Sequence, residues 1–140
     1  MEPVVEQLGE QECLRLISPG GVGRIAFTGR FGLSIFPVNY KVHDGSIMFR
    51  TVDGSAFGED LRTGIQYADY KVAFEIDEVD PAAREGWSVL IQGPAHHMDK
   101  SAERELAKNT GVEPWPGGQR DDYIRITPTR MTGRRIRQRS

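Results

Sequence analysis

At 140 residues the chain has the size of one domain, long enough to bury roughly 68–70 % of its unfolded surface without disulfide or metal staples. A hydrophobic share of 38 % beside 27 % charged residues excludes a disordered chain, and a formal net charge of −2 excludes an overall basic field that would draw it to nucleic acid or to a membrane. One cysteine permits no internal disulfide, which fits a reducing cytoplasm; the acidic start Met1-Glu2-Pro3 does not read as a signal peptide, and no apolar run approaches the ~18 residues of a transmembrane helix.

The first predicted element is a helix over residues 9–18. Leu8 and Cys13 stand as a hydrophobic staple around Gly9 as N-cap, and Glu12 is the third helical residue. Cys13, Leu14 and Ile17 give it an apolar face, which makes Cys13 a packed side chain, and Ser18-Pro19-Gly20-Gly21 stops it. Val22–Phe27 reads as a strand turned at Thr28-Gly29-Arg30. Leu33–Val42 and Ser46–Thr51 form a hairpin across Asp44-Gly45, a dipeptide suited to a turn that needs positive φ at both central positions.

Phe57, Leu61, Ile65 and Ala68 predict a helix over 57–66. Lys71–Val79 is a strand with Val72, Phe74 and Ile76 on one face. Asp80-Pro81 opens a loop that ends at Gly86, and Trp87–Ala95 is the next strand. A further helix is expected at about 100–110, capped by Asp99 or Ser101 and stopped by Gly111. Pro114-Trp115-Pro116-Gly117-Gly118 is a rigid loop, and Tyr123–Ile126 returns as strand. Pro128 breaks that strand, Met131–Arg137 is a last edge segment, and residues 137–140 are expected to fray. With 16 glycines and 8 prolines spacing short strands, the pattern predicts a mainly β chain: one domain over 1–140, an antiparallel barrel with helices as plugs or caps.

Catalytic constellations are scarce. His43 sits at a hairpin turn, and His96 and His97 are neighbours on a strand whose side chains point to opposite faces, so no metal site is expected. Nucleophile elbows, phosphate-binding Walker loops and dinucleotide glycine fingerprints are missing. Glu75/Asp77 and Glu78/Asp80 each share a strand face and read as solvated surface. The arginines at 130, 134, 135, 137 and 139 lack interleaved aromatic residues and so do not read as a nucleic-acid patch; Arg134 and Arg135 read as structural or cofactor-facing, with a frayed end after them.

One group does point to a ligand. The second hairpin strand ends in Arg50-Thr51 and runs into a loop with Gly54 and Ser55. A guanidinium, two hydroxyls and open backbone amides suit a phosphate. The wider wording resembles the pyridoxamine 5'-phosphate oxidase-like family of flavin-binding split β-barrels. The resemblance is carried by Pro37-Val38-Asn39-Tyr40, the Asp44-Gly45 turn and Phe49-Arg50-Thr51 with Gly54. It continues through Val72-Ala73-Phe74-Glu75-Ile76-Asp77, Gly86-Trp87-Ser88-Val89 with Gly93, and Thr132-Gly133-Arg134-Arg135-Ile136.

That resemblance implies a six-stranded antiparallel split β-barrel that forms a homodimer, with flavin mononucleotide (FMN) in two clefts at the interface. It implies hydride or electron transfer through the flavin to or from a small-molecule substrate. The flavin ring would lie along the hairpin backbone at Pro37, Val38, Asn39 and Tyr40, with the phosphate on Arg50, Thr51, Gly54 and Ser55; by residue type alone, either Trp87 or Trp115 could flank a flat ring. Relatives commonly carry Ser/Thr-Lys-Leu after the glycine. Here the run is Gly54-Ser55-Ala56-Phe57-Gly58-Glu59-Asp60-Leu61, without the lysine, and Arg62 stands one helical turn on as its substitute. A deazaflavin cofactor in the same fold, and a binding or regulatory protein that keeps the barrel without catalysis, are the alternatives.

Overall fold

The computed structural model describes residues 2–29, 32–52, 70–98, 105, 109 and 121–139. In chain order they form β1 (Pro3–Leu8), α1 (Glu10–Ile17), β2 (Gly21–Gly29), β3 (Gly32–His43), β4 (Ser46–Val52), β5 (Tyr70–Asp80), β6 (Glu85–His97), β7 (Asp121–Ile126) and β8 (Arg130–Gln138). All pairings are antiparallel. The order β6-β5-β2-β3-β4-β7 closes on itself through β6–β7, giving a six-stranded barrel, and β8 and then β1 extend the sheet from β6. The expected helices over 57–66 and about 100–110 fall largely outside the described residues; Glu105 and Asn109 are helical. Among the described residues no helix is long and apolar enough to cross a membrane.

Period-two alternation builds the interior. Ile25 and Phe27 of β2, Val38 and Tyr40 of β3, Ile47 and Phe49 of β4, Phe74 of β5, Ile91 of β6 and Ile124 and Ile126 of β7 all face inward and are almost fully buried. Each such aliphatic or aromatic side chain contributes about 1.5–3 kcal/mol on leaving water. Phe74 is the hub: its ring stacks on Phe49 at 6.1 Å between centroids and meets Tyr40 edge-on at 5.6 Å. The Asp44-Gly45 turn has φ of 49° and 74°, the double left-handed geometry expected of it.

Helix α1 packs Cys13 and Ile17 into the same core. Gly9 is its N-cap, as the staple pattern predicts. The Tyr40 hydroxyl donates to the Ile17 carbonyl at 2.9 Å, tying the end of the helix to β3, and burial pushes that phenol up to about 12. Gly133 of β8 lies under the helix; a Cβ there would stand 2.6 Å from Cys13 Sγ. Gly93 of β6 is crossed by the β7–β8 connection, so a Cβ there would stand 2.1 Å from the Thr127 carbonyl oxygen. Thr127 and Thr129 fix that crossing by donating their amides to Pro94 and Gln92 at 3.0 and 2.8 Å.

Three sequence expectations are corrected at the chain ends and on β5. Residues 3–8 form a strand that was not anticipated, because a six-residue run with polar Glu6 and Gln7 carries little β signal until its partner is known. Consequently β8 is no edge strand: it lies between β6 and β1, with Val4 opposite Arg137 and Pro3 opposite Gln138. Nor do residues 137–139 fray. Arg137 forms an ion pair with Glu6, Gln138 donates its amide to Glu85 at 3.0 Å, and Arg139 donates its amide to the Glu2 carbonyl at 2.9 Å. On β5, Glu75 and Asp77 are half-buried, not fully solvated, and both lie 3.5 Å from the Arg24 guanidinium. Burial first, and the neighbouring Asp77 second, raise the Glu75 carboxyl to about 7.

Candidate functional site

Because Ile47 and Phe49 point into the barrel, Met48 and Arg50 point out of it. Across the ladder, Arg50 stands opposite Tyr123 of β7, and its guanidinium lies over the Tyr123 ring at 5.9 Å from the centroid. A cation over an aromatic face is worth about 0.5–2 kcal/mol, enough to narrow the positions an otherwise flexible arginine samples. Tyr123, Met48 and Met98 form a small buried cluster on this outer side, and the Met98 amide donates to the Tyr123 carbonyl at 2.9 Å. The base under Arg50 is therefore packed, not merely a strand end.

One step along β4 toward the turn, a row crosses four strands. Lys41 of β3 stands opposite Met48, Met48 opposite Arg125 of β7, and Arg125 opposite His96 of β6. Residues directly opposite share a sheet face. Lys41, Arg125 and His96 are half-buried, and none of the residues in this row or in the Arg50–Tyr123 pair is a carboxylate. The donor set fits an anionic group.

The residues expected to hold a flavin divide sharply. Pro37 is exposed and Asn39 half-buried, both on the outer face of β3. Val38 and Tyr40 turn their side chains into the core, at 1 % and 2 % exposure, so only their backbone is available to a ligand. Thr51 follows Arg50 in β4, opposite Asp122. Gly54, Ser55, Arg62 and Trp115 lie outside the described residues. Trp87 does not join this group within one chain. It packs against the core, opposite Glu78 and Arg135, nine positions along β6 from His96, or roughly 30 Å at the rise of a strand.

Three of the C-terminal arginines make ion pairs within the fold. Arg135 pairs with Glu12 of α1 at 3.1 Å, Arg137 with Glu6, and Arg139 with Glu2 at 3.7 Å. Arg15 and Arg135 together hold the Glu12 carboxyl down at about 2. Sequence reasoning missed Tyr123, Arg125 and His96 as members of the outer site. Alternation in Tyr123-Ile124-Arg125-Ile126 carried part of the signal, by setting Tyr and Arg opposite the two isoleucines; the pairing of β7 with β4 was not readable.

Among the described residues, a closed six-stranded antiparallel barrel with a lateral sheet extension and a packed helix α1 is a split β-barrel of the flavin-binding type. The family profile for pyridoxamine 5'-phosphate oxidase matches residues 9–135, and the chain belongs to that family. It is 33 % identical over 132 residues to the uncharacterized protein Rv0080 of Mycobacterium tuberculosis, covering 94 % of this chain and 86 % of that one. Among solved structures it resembles the FAD binding protein from Mycobacterium smegmatis, at 31 % identity and a TM-score of 0.73, covering 93 % and 98 % of the two chains. It also resembles an FAD-binding protein from Mesorhizobium loti, at 21 % identity and a TM-score of 0.74, covering 98 % and 100 %, a likeness that carries the fold alone.

Proposed function

We propose that the chain is a flavin-nucleotide-binding oxidoreductase acting on a small molecule, with the phosphate nearest the flavin ring held at Arg50. The observation that carries this reading is Arg50 itself: anchored on a paired strand, held over Tyr123, and followed one row along by Arg125 opposite His96. A bound flavin supplies hydride or electron transfer, and FMN is the smallest ligand that satisfies the site. The protein's own work is orientation and charge. Arg50 forks onto phosphate oxygens, the Tyr123 ring limits where it swings, and Pro37 and Asn39 border the adjoining face of β3. The FAD-binding character of the M. smegmatis relative supports a flavin in this role.

A homodimer belongs to the same proposal. On the outer face of β2, β3 and β5, Ile35 at 69 % exposure forms an apolar row with Ala26 and Ala73, and Leu33 at 85 % exposure lies two residues along β3, while the next row carries Arg24, Pro37 and Glu75. Apolar side chains aligned across three strands in this way favour being covered by a second copy. Titration of the purified protein with FMN, followed by quenching of flavin fluorescence, tests the cofactor, with a deazaflavin nucleotide as the second arm. Saturable one-to-one binding per protomer is expected; binding of neither contradicts the reading. Sedimentation tests assembly, and a stable monomer at micromolar concentration contradicts the dimer.

A further inference from the structure

We infer that a second copy of the chain covers the Arg24–Glu75–Asp77 cluster together with the apolar row beside it, so that assembly takes up a proton at each cluster and loosens as pH rises. The inference rests on the homodimer proposed above and adds its regulation.

Size places the cluster under the partner. A stable interface covers about 800 Å² per copy, a patch roughly 25–30 Å across. Ile35, Ala26 and Ala73, with Leu33 beside them, supply only part of it, because three neighbouring strands are about 10 Å wide. Pro37, Arg24 and Glu75 form the next row on the same face, about 7 Å away. That row is itself bounded by apolar side chains: exposed Pro37 on β3, and Leu90 on β6, which stands opposite Glu75 at 38 % exposure. The charged cluster is inset in the apolar patch, and a partner seated on Ile35 reaches it.

Charge sets the proton count. Arg24 Nη1 lies 3.5 Å from a carboxylate oxygen of Glu75 and 3.5 Å from one of Asp77, so one guanidinium faces two acids. With both ionised the cluster carries one uncompensated negative charge, which water solvates on an open face. Enclosing two such clusters between copies strips that water and is strongly disfavoured. One proton per cluster removes the excess: Glu75 then donates to Asp77, which keeps Arg24 as its counter-ion. In the single chain that proton is held up to about pH 7, by burial first and by the hydrogen bond to Asp77 second, and enclosure tightens the hold. The free chain thus releases its proton at lower pH than the dimer does, so dissociation releases protons and is favoured as pH rises.

Among the described residues no other group near the pair titrates in this range. From β6, Ser88, Leu90 and Gln92 face it, and from β3, Pro37 closes the row. Arg134 of β8 stands opposite Ser88, two strands from Asp77, and stays charged throughout; Lys71 is four positions from Glu75 on β5, about 13 Å. His43 and His96 are each six positions along their strands from Pro37 and Leu90, about 20 Å.

Sedimentation velocity with fluorescence detection, from nanomolar to micromolar protein at fixed salt, gives the dimer dissociation constant of wild type, Glu75→Gln, Asp77→Asn and Glu10→Gln across the neutral range, with melting temperature recorded as a check on folding. The wild-type constant is expected to be nearly level below about pH 6.5 and to rise about ten- to a hundredfold by about pH 8, as for one to two protons released per dimer. Glu75→Gln and Asp77→Asn each leave Arg24 one carboxylate and hold the acid-side affinity across the range, whereas Glu10→Gln, at the exposed start of α1, keeps the wild-type slope. A wild-type constant that is level or falls as pH rises, a slope retained by Glu75→Gln, or a slope lost equally in Glu10→Gln overturns the proton link and leaves the homodimer standing. A wild type that stays monomeric at micromolar concentration even in the acid half of the range overturns both.

Discussion

Arg24 on β2 stands directly opposite Glu75 on β5, and its guanidinium lies 3.5 Å from both Glu75 and Asp77. The arginine offsets only part of the cost of holding two carboxylates together on a half-buried face. Glu75 is left at about 7, where an ordinary glutamate titrates at 4.5. A carboxyl raised in the fold keeps its proton after the unfolded chain has released its own, so between about pH 4.5 and 7 folding takes up a proton and stability falls as pH rises. Glu12, held near 2 by Arg15 and Arg135, acts in the other direction but only in acid: its contribution is lost as pH falls from 4.5 toward 2. Melting curves from pH 5 to 8 should therefore show a decline through this window that Glu75→Gln flattens. Identical slopes in the two proteins contradict the Arg24–Glu75–Asp77 assignment.

The C-terminal residues are expected to matter for stability. Removing 137–140 deletes the last rungs of the β1–β8 ladder, the Gln138 contacts to Arg84 and Glu85, and the ion pairs to Glu6 and Glu2. The exposed ion pairs count for little, but each lost backbone hydrogen bond costs about 0.5–1.5 kcal/mol. A melting temperature lower by on the order of 5–10 °C is expected. An unchanged value would mean the β1–β8 end contributes nothing.

Gly93→Ala should be among the more damaging single-methyl substitutions in the chain. The added Cβ meets the Thr127 carbonyl at 2.1 Å, and that carbonyl is on backbone already fixed by the Thr127 and Thr129 amides. A cost of about 1–3 kcal/mol is expected from overpacking. Chemical denaturation of Gly93→Ala beside Gly9→Ala, where nothing lies within 4 Å, checks it; equal midpoints contradict the crossing.

Much of the barrel was legible in the sequence because its cues are local. The Asp44-Gly45 hairpin, the alternation of Val72, Phe74 and Ile76, and the staple around Gly9 each depend on residues close together in the chain. Gly93 and Gly133 were visible as parts of a family resemblance, but their reason, a crossing chain and a packed helix, appears only in three dimensions. What failed was non-local. β1 was missed because its partner β8 lies some 130 residues away, and with it the paired state of Arg137 and Gln138. At the site, Arg50 was found from the strand-end pattern, whereas Tyr123 beneath it required knowing that β4 pairs with β7. Val38 and Tyr40 were placed at the site as a run, although strand alternation sends both into the core.

Tyr123 should act through Arg50. Tyr123→Phe keeps the ring face and is expected to leave flavin affinity within about twofold, whereas Tyr123→Leu frees the guanidinium and should weaken binding severalfold. A double-mutant cycle with Arg50→Ala checks this: Tyr123→Leu should cost little once Arg50 is absent. Additive losses contradict a positioning role.

The central claim, that Arg50 holds the flavin phosphate, is tested most directly by comparing the FMN dissociation constants of wild type and Arg50→Ala at one salt concentration. Loss of charge-assisted hydrogen bonds worth about 1.5–3 kcal/mol predicts binding weakened roughly ten- to a hundredfold, with Arg50→Lys recovering only part because an ammonium cannot fork onto two oxygens. Equal constants for wild type and Arg50→Ala would contradict the assignment of the site.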